Sequence, residues 1–436
     1  MWPYHPELLT TPVPRYTSYP TAADFGELVS SDYDRALEQA AGDISLYLHI
    51  PFCEKLCFYC GCNTGAAGRR HRLESYLAAL HSEIDLVAAR LPQGSKIRRV
   101  AFGGGSPNAI TPVDFIRLVE SLTLRFNLNE PDFSIELDPR TMNEEWALVI
   151  ESVGITRASM GVQTFAPHCQ QAIGRVQDDD LISRFVEWLR EAGVSSLNFD
   201  LMYGLPGQSR GDLIDNLEHT VMLGADRAAV FGYAHVPDMI PRQRVIDDSH
   251  LPGQAERFAM AGDAFEHMTS NGYAPIGFDH FALHDDPLAR AASEGALRRN
   301  FQGFTDDISP VLIGLGSSAI SSFPQLLAQN EKSSGRYRMI ISQEKLTASR
   351  GTKRSKDDQL RGKIIEGLLC QSQSEIPAAV MGEVEGVLQP FISRGLAIVD
   401  GEKLAISPDG LSYARTIAAL FDPYRRQSRR RFSSAV

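Results

Sequence analysis

No stretch of the chain reaches the ~18 consecutive apolar residues of a membrane-spanning helix. Its first residues, Met1-Trp-Pro-Tyr-His, carry no apolar leader, so the sequence is expected to stay in the cytoplasm. Positive charge is also in deficit. Lys and Arg number 43 against 54 Asp and Glu, a net charge of −11, which argues against a general binder of nucleic acid. The exception is Arg425-Arg-Gln-Ser-Arg429-Arg-Arg431, read either as a solvated terminal charge run or as a patch that meets an acidic substrate or partner. Nucleotide signatures are missing as well, because Gly103-Gly-Gly-Ser-Pro107 is neither the G-x-G-x-x-G fingerprint nor a P-loop. Cysteine is sparse, six in 436 residues, and a disulfide framework suits short secreted chains instead. The remaining composition, 43% hydrophobic and 22% charged, is that of an ordinary globular protein of about two to three domains.

The few cysteines are not scattered. Four fall within ten positions, in Cys53-Glu-Lys-Leu-Cys57-Phe-Tyr-Cys60-Gly61-Cys62. The C-x3-C-x2-C triad offers three thiolates, one fewer than a [4Fe–4S] cluster needs for full protein ligation. One iron then stays open to an exogenous ligand, as a reductive reaction at the cluster requires. Structural zinc prefers paired C-x2-C or Cys/His sets, and His49 and His71 flank the triad without such pairing. Cys169 and Cys370 stand alone and read as packed or surface thiols.

From about residue 44, short β-rich runs alternate with amphipathic stretches. The runs are 45–50, 99–102, 133–137, 157–161, 197–202, 228–233 and 276–278; helical patterns include 73–91, 112–126, 181–192 and 211–223. Near-continuous apolar strands between helices imply a covered parallel sheet. The expected fold class is therefore α/β, a full or partial (β/α) barrel, with its site at the carboxyl ends of the strands. The texture changes near residue 325. Ser333-Ser-Gly335 and Thr347 to Lys356 read as a surface connection, and helical patterns at 359–369 and 376–393 precede a hairpin around Asp400-Gly401-Glu402. The expected division is an N-terminal arm (1–40), a barrel domain (41–325) and a smaller, mostly helical, winged-helix-like C-terminal domain (326–436) that acts as a lid or packing unit.

Polar residues end several of these strands. Gly103 to Gly105 would let a ligand lie against the backbone. Glu136 and Asp138 alternate onto one face, Glu136 suited to ribose hydroxyls and Asp138 to capping before Pro139. Gln163 and Asp200 close two further strands. His49 is either a neighbour of the cluster or a core histidine, and His235 and His280 read as structural or substrate-contacting.

Together, Leu-Tyr-Leu-His-Ile-Pro-Phe-Cys-x3-Cys-x2-Cys, Gly-Gly-Gly-Ser-Pro and Tyr-Gly-Leu-Pro resemble the radical S-adenosylmethionine (SAM) superfamily in its coproporphyrinogen-oxidase-like branch. Pro14-Arg-Tyr-Thr-Ser-Tyr-Pro20, Cys60-Gly-Cys62, Arg299-Asn-Phe-Gln-Gly303, Ser318-Ala-Ile320 and Phe421-Asp-Pro-Tyr424 extend the resemblance over nearly the whole chain, to the bacterial oxygen-independent coproporphyrinogen III oxidases. The resemblance implies that Cys53, Cys57 and Cys60 ligate a [4Fe–4S] cluster, with Cys62 close by and not a ligand. It implies two SAM molecules, one contacted by Tyr47, Gly104, Glu136 and Ile320, the other by Tyr59, Gly105, Ser106, Gln163, Arg175, Asp200 and Ala234. Arg175 is suited to a methionine carboxylate, and Phe301 and Gln302 match a nearby pocket segment. The implied reaction is oxidative decarboxylation of two propionates of coproporphyrinogen III to vinyls, giving protoporphyrinogen IX in heme biosynthesis. The implied partners are a reduced flavodoxin- or ferredoxin-type donor acting on a monomer.

Two departures from the family pattern stand out. Ser106 replaces the usual Thr, and Phe304-Thr-Asp-Asp followed by Pro310-Val-Leu-Ile-Gly314 alters a segment expected on the substrate side. Related heme chaperones share the triad without this reaction but lack the Cys-Gly-Cys extension and the Phe-Asp-x-Tyr end. A radical enzyme acting on another tetrapyrrole is a further alternative.

Overall fold

The structure is a computed structural model, and it describes residues 2–68 and 70–427. Arg429 to Arg431 of the basic tail lie outside the described residues. Seven parallel strands form the body: β1 (Gly42–Ile50), β2 (Ser95–Gly104), β3 (Leu128–Leu137), β4 (Arg157–Gln163), β5 (Ser196–Tyr203), β6 (Arg227–Gly232) and β7 (Val311–Leu315). Their order in the sheet is β7-β1-β2-β3-β4-β5-β6. Antiparallel strands extend both edges, and the 13-stranded sheet has two free ends, so the barrel is partial.

Side-chain alternation explains the layering. On β2, Val100 and Phe102 are buried against the helices, and Phe102 meets Phe115 of helix Pro112–Arg125 at 4.6 Å between ring centroids. Phe115 in turn meets Trp146 at 5.1 Å. The opposite, inward face carries small and polar residues, which leaves room inside the barrel. The covering helices start where a side-chain oxygen can take an orphan N–H: Thr111, Asn143, Asp178 and Ser209 each accept from the backbone three residues on.

Three expectations need correction. First, Ile276 to Phe278 does not join the parallel set. Strand Tyr273–Ile276 turns at Gly277 (φ +60°) and pairs antiparallel with His280–Leu283, which edges β6. Second, neither part of the expected surface connection is one: Ser333 caps helix Ser334–Ile341, and Thr347 to Lys356 contains a strand. Ala348–Lys353 pairs with Leu326–Asn330 and with the short strand Gly26–Glu27, since ladder hydrogen bonds need no apolar side chains. Third, the sheet therefore runs past residue 325, and we propose the division near residue 355 instead.

Beyond it, helices Lys356–Cys370 and Ala378–Ile392 pack on a three-stranded sheet that contains the expected hairpin, Ala397–Asp400 with Lys403–Ile406. The N-terminal arm is not independent of this unit. Leu9, Val13, Tyr16 and Tyr19 share its core, and Tyr16 donates to Asp422 at 2.9 Å. Helix Ser30–Glu38 packs instead on the barrel through Tyr33 and Leu37. Cys169 and Cys370 are both buried.

Candidate active site

The cysteine loop leaves the carboxyl end of β1, and the glycine run at the end of β2 clasps it. Gly105 N–H donates to Ile50 O at 2.9 Å and Ser106 N–H to Phe52 O at 2.8 Å. A Cβ on Gly105 would stand 2.5 Å from Phe52 O, so only glycine permits this approach. A Cβ on Gly103 would strike the Glu136 carboxyl at 2.7 Å, and one on Gly104 (φ +115°) the His49 ring at 2.6 Å. The glycines thus serve close packing of protein groups as well as exposing backbone to the cavity.

That cavity measures about 330 Å³ and lies at the carboxyl ends of the strands. Cys53, Cys57, Cys60 and Cys62 border it on one side, all as free thiols. Tyr59, Gly104, Gly105, Glu136, Gln163, Arg175 and Asp200 border it as well. Tyr47 lies just outside, its hydroxyl 3.1 Å from His49 Nδ1. His49 Nε2 meets Asn63 O at 3.1 Å, so this histidine is satisfied within the protein. Ser106 is buried and bonds Asn108 at 2.5 Å, and Asn108 in turn holds Asp138 O at 2.9 Å. Ala234 lines an adjoining smaller cavity, and Ile320 sits in a strand antiparallel to β7. Phe301 borders a separate cavity between the arm and helix Lys356–Cys370.

Electrostatics divide this lining. Burial pushes the Glu136 carboxyl up to about 7, although Gly104 N–H donates to it at 3.2 Å. Burial also raises Asp200, which accepts from Ser159 at 3.0 Å and from Asn198 at 2.9 Å. Asp138 goes the other way: burial opposes its ionisation, but the Arg175 and Arg140 guanidiniums outweigh that and hold it below the ordinary carboxylate range. Arg175 pairs with Asp138 at 3.2 Å and donates to Gly161 O at 2.9 Å, so in this structure an internal carboxylate engages it. Asp138 also caps the turn at Pro139 by accepting from Arg140 N–H at 3.0 Å, as expected before a proline. Gln163 holds φ +70°, a left-handed conformation unusual for a side-chain-bearing residue and typical of strained functional positions.

The chain is 38% identical to the oxygen-independent coproporphyrinogen III oxidase of Bradyrhizobium diazoefficiens, with 97% of each chain covered. It is 36% identical to the oxygen-independent coproporphyrinogen III oxidase of Escherichia coli, covering 96% of this chain and 94% of that one. The solved structure of the E. coli coproporphyrinogen III oxidase, described as a radical SAM enzyme, superposes with a TM-score of 0.91 at 34% identity over 97% of this chain and 99% of that chain. The radical SAM superfamily itself matches residues 47–219. The chain belongs to the oxygen-independent coproporphyrinogen III oxidases.

Within that family frame, the donor set fits a thiolate-held cluster. Cys57 Sγ receives N–H donors from Arg140 at 3.3 Å and Arg175 at 3.4 Å, and Cys53 Sγ meets Thr64 Oγ1 at 3.2 Å. Donors and cationic charge of this kind stabilise thiolate sulfur. The four cysteines border an open cavity of about 330 Å³, which leaves room for such a group between them and the strand ends.

Sequence reading missed Arg140, although Asp-Pro-Arg at a strand end was a visible signal. It also missed Arg15 and Arg242, which line the cavity from distant segments and which no local pattern announces. The altered segment divides: the Phe304 ring stays 5.1 Å from His280 and 5.7 Å from Phe278, while its two aspartates need correction. Asp306 accepts from Arg99 at 2.7 and 2.8 Å and from Arg157 at 2.8 and 3.0 Å, while Asp307 accepts from Ser45 at 2.5 Å. These partners lie toward the amino-terminal ends of β2, β4 and β1. The Thr-Asp-Asp change therefore plugs the end of the barrel opposite the thiols, drawn there by two inward arginines.

Proposed function

We infer that this protein catalyses the oxygen-independent oxidative decarboxylation of coproporphyrinogen III to protoporphyrinogen IX. The observation that carries this reading is a thiol triad facing Glu136, Asp200 and the glycine run across one cavity, in a chain that aligns end to end with coproporphyrinogen III oxidases. When bound, a [4Fe–4S] cluster and SAM together supply the 5′-deoxyadenosyl radical that takes hydrogen from a propionate β-carbon.

The protein's own share is to bind, orient and shield. Cys53, Cys57 and Cys60 would hold the cluster, and Cys62, whose N–H donates to Cys60 Sγ at 3.4 Å, would support it without ligating. Gly104 and Glu136 would hold the amino acid and ribose parts of the SAM nearest the thiols, with Tyr47 backing Glu136. Gln163, Asp200 and Arg175 would hold a second SAM, for which Arg175 must share its guanidinium between Asp138 and a methionine carboxylate. The arm and the C-terminal unit cover the strand ends and keep water from the reacting carbon. We place the reaction in the cytoplasm, with a reduced flavodoxin- or ferredoxin-type donor and the chain acting as a monomer.

The test is anaerobic reconstitution followed by incubation with reductant, SAM and coproporphyrinogen III, and porphyrin analysis after oxidation. Protoporphyrin with its monovinyl intermediate is the expected result. An intact cluster that yields neither sinks the reading, and stoichiometric heme binding without turnover promotes the chaperone alternative. Cys57→Ala should lose both iron and turnover; a Cys57→Ala protein that keeps its cluster contradicts the ligand assignment.

A further inference from the structure

Beside the thiol cavity lies a smaller one of about 40 Å³, between the ends of β5 and β6, helix Gln254–Ser270, the arm and the C-terminal unit. Its volume suits a carboxylate or a few waters. Three guanidiniums line it, those of Arg15, Arg257 and Arg415, against one carboxylate, Asp279. Asp279 is itself held by His280 Nδ1 at 2.6 Å.

The cations come from three separate parts of the chain. Arg15 donates to Gly232 O at 3.1 Å and lies 5.2 Å over the Phe231 ring. Arg415, 8% exposed, donates to Val13 O at 3.0 Å. Arg257 Nε is buried with no hydrogen-bond partner among the described residues. A fourth arginine, Arg299, packs 5.3 Å from the ring of Phe278, which lines the cavity, and its Nη1 is likewise buried and without a partner. Burial, and then repulsion from Arg15, lowers the Arg415 guanidinium to about 10, and burial lowers Arg257 as well. Packing guanidiniums against one another inside a protein is costly unless an anion joins them.

We propose that Arg15, Arg257 and Arg415 form a pocket for a carboxylate, and that a propionate of the tetrapyrrole substrate occupies it. The proposal rests on the oxidase reading for its ligand. Arg15 also lines the thiol cavity, so the two spaces share a wall. A tetracarboxylate ring anchored in the smaller space can present another propionate to the larger one. A backbone Gly at 232 keeps the approach open, because a Cβ there would stand 3.0 Å from Tyr203 Oη and 3.2 Å from Arg257 Nη2.

The test titrates the purified protein with coproporphyrin III, with its tetramethyl ester and with S-adenosylhomocysteine, in wild type, Arg257→Gln and Arg257→Lys. Wild type should bind the tetra-acid at least about tenfold more tightly than the ester, the factor expected of one charge-assisted contact. Arg257→Gln should remove that preference and leave S-adenosylhomocysteine unchanged, and Arg257→Lys should restore part of it. In the reconstituted enzyme, KM for coproporphyrinogen III should rise by about the same factor while 5′-deoxyadenosine formed per vinyl stays constant. Unchanged tetra-acid affinity in a folded Arg257→Gln protein overturns the pocket. So does an equal loss for the ester, or a loss for S-adenosylhomocysteine alone, which would assign the carboxylate to methionine. Should Arg257→Gln melt too low to assay, Arg15→Gln carries the same comparison. Arg257-dependent binding in a wild-type protein that never forms vinyls would refute the oxidase reading and leave the pocket standing; turnover without Arg257 dependence would do the reverse.

Discussion

Replacing Asp306 with asparagine removes one negative charge from between two arginines while keeping the side chain's shape. In the native structure its carboxylate accepts four N–H bonds of 2.7 to 3.0 Å from Arg99 and Arg157. The three side chains are 13%, 22% and 14% exposed. Removing one partner of a fully buried ion pair costs ~3–5 kcal/mol. Here Asp132, 3.5 Å from both guanidiniums, remains as a half-exposed partner, which reduces the loss to about 2–3 kcal/mol. For a unit of roughly 350 residues the melting midpoint should fall by about 3–4 °C. Burial opposes the ionisation of Asp306, but the hydrogen bonds from Arg99 and Arg157 more than offset it and depress the carboxyl well below its ordinary range. Its contribution to stability is therefore complete above the unfolded value of ~3.9 and is lost only as pH falls through the depressed one. The gap between wild type and Asp306→Asn should accordingly stay constant from pH 5 to 8 in thermal melts. Midpoints within about 1 °C of each other, or a gap that closes inside that window, refute the reasoning. Iron content after reconstitution should match wild type, because the plug sits at the opposite end of the barrel. A variant that keeps its melting point but loses substrate affinity would return the segment to the substrate side.

Other expectations follow from the site. Gly105→Ala places a methyl 2.5 Å from the Phe52 carbonyl, and backbone cannot yield as a side-chain tip does. We expect ~1–3 kcal/mol of destabilisation and a clear drop in iron bound per chain; full iron incorporation contradicts the clasp between the glycine run and the cysteine loop. Glu136, raised to about 7 by burial, contributes stability that is complete below the unfolded value of ~4.3 and is lost as pH rises through about 7. Melts of Glu136→Gln against wild type, before cluster loading, should shift in the variant's favour between pH 5 and 8, by up to about 3 kcal/mol. A difference that does not move with pH shows that Glu136 is not buried as described.

The chemistry of this protein was legible in its sequence because it is local. A cysteine triad on one loop, three consecutive glycines and polar residues closing apolar strands need only strand alternation to converge at one end of a sheet. The parallel sheet was legible for a related reason, since strands buried on both faces show as apolar runs. Antiparallel edges were not: Ala348–Lys353 is polar and pairs through its backbone, so hydropathy cannot report it. Nor could the sequence say where Asp306 goes, because its partners lie 207 and 149 residues away. Asp138 looked like a turn cap and is one, yet tertiary structure also made it the counter-ion of Arg175. The meeting of Arg15, Arg257 and Arg415 beside the thiols likewise depends on the first and last segments of the chain closing over the same strand ends. Residue types and short spacings thus determined which chemistry the chain can support. Long-range packing, which places charges without regard to their distance along the chain, decided which carboxylates and arginines share a cavity and which seal its far end.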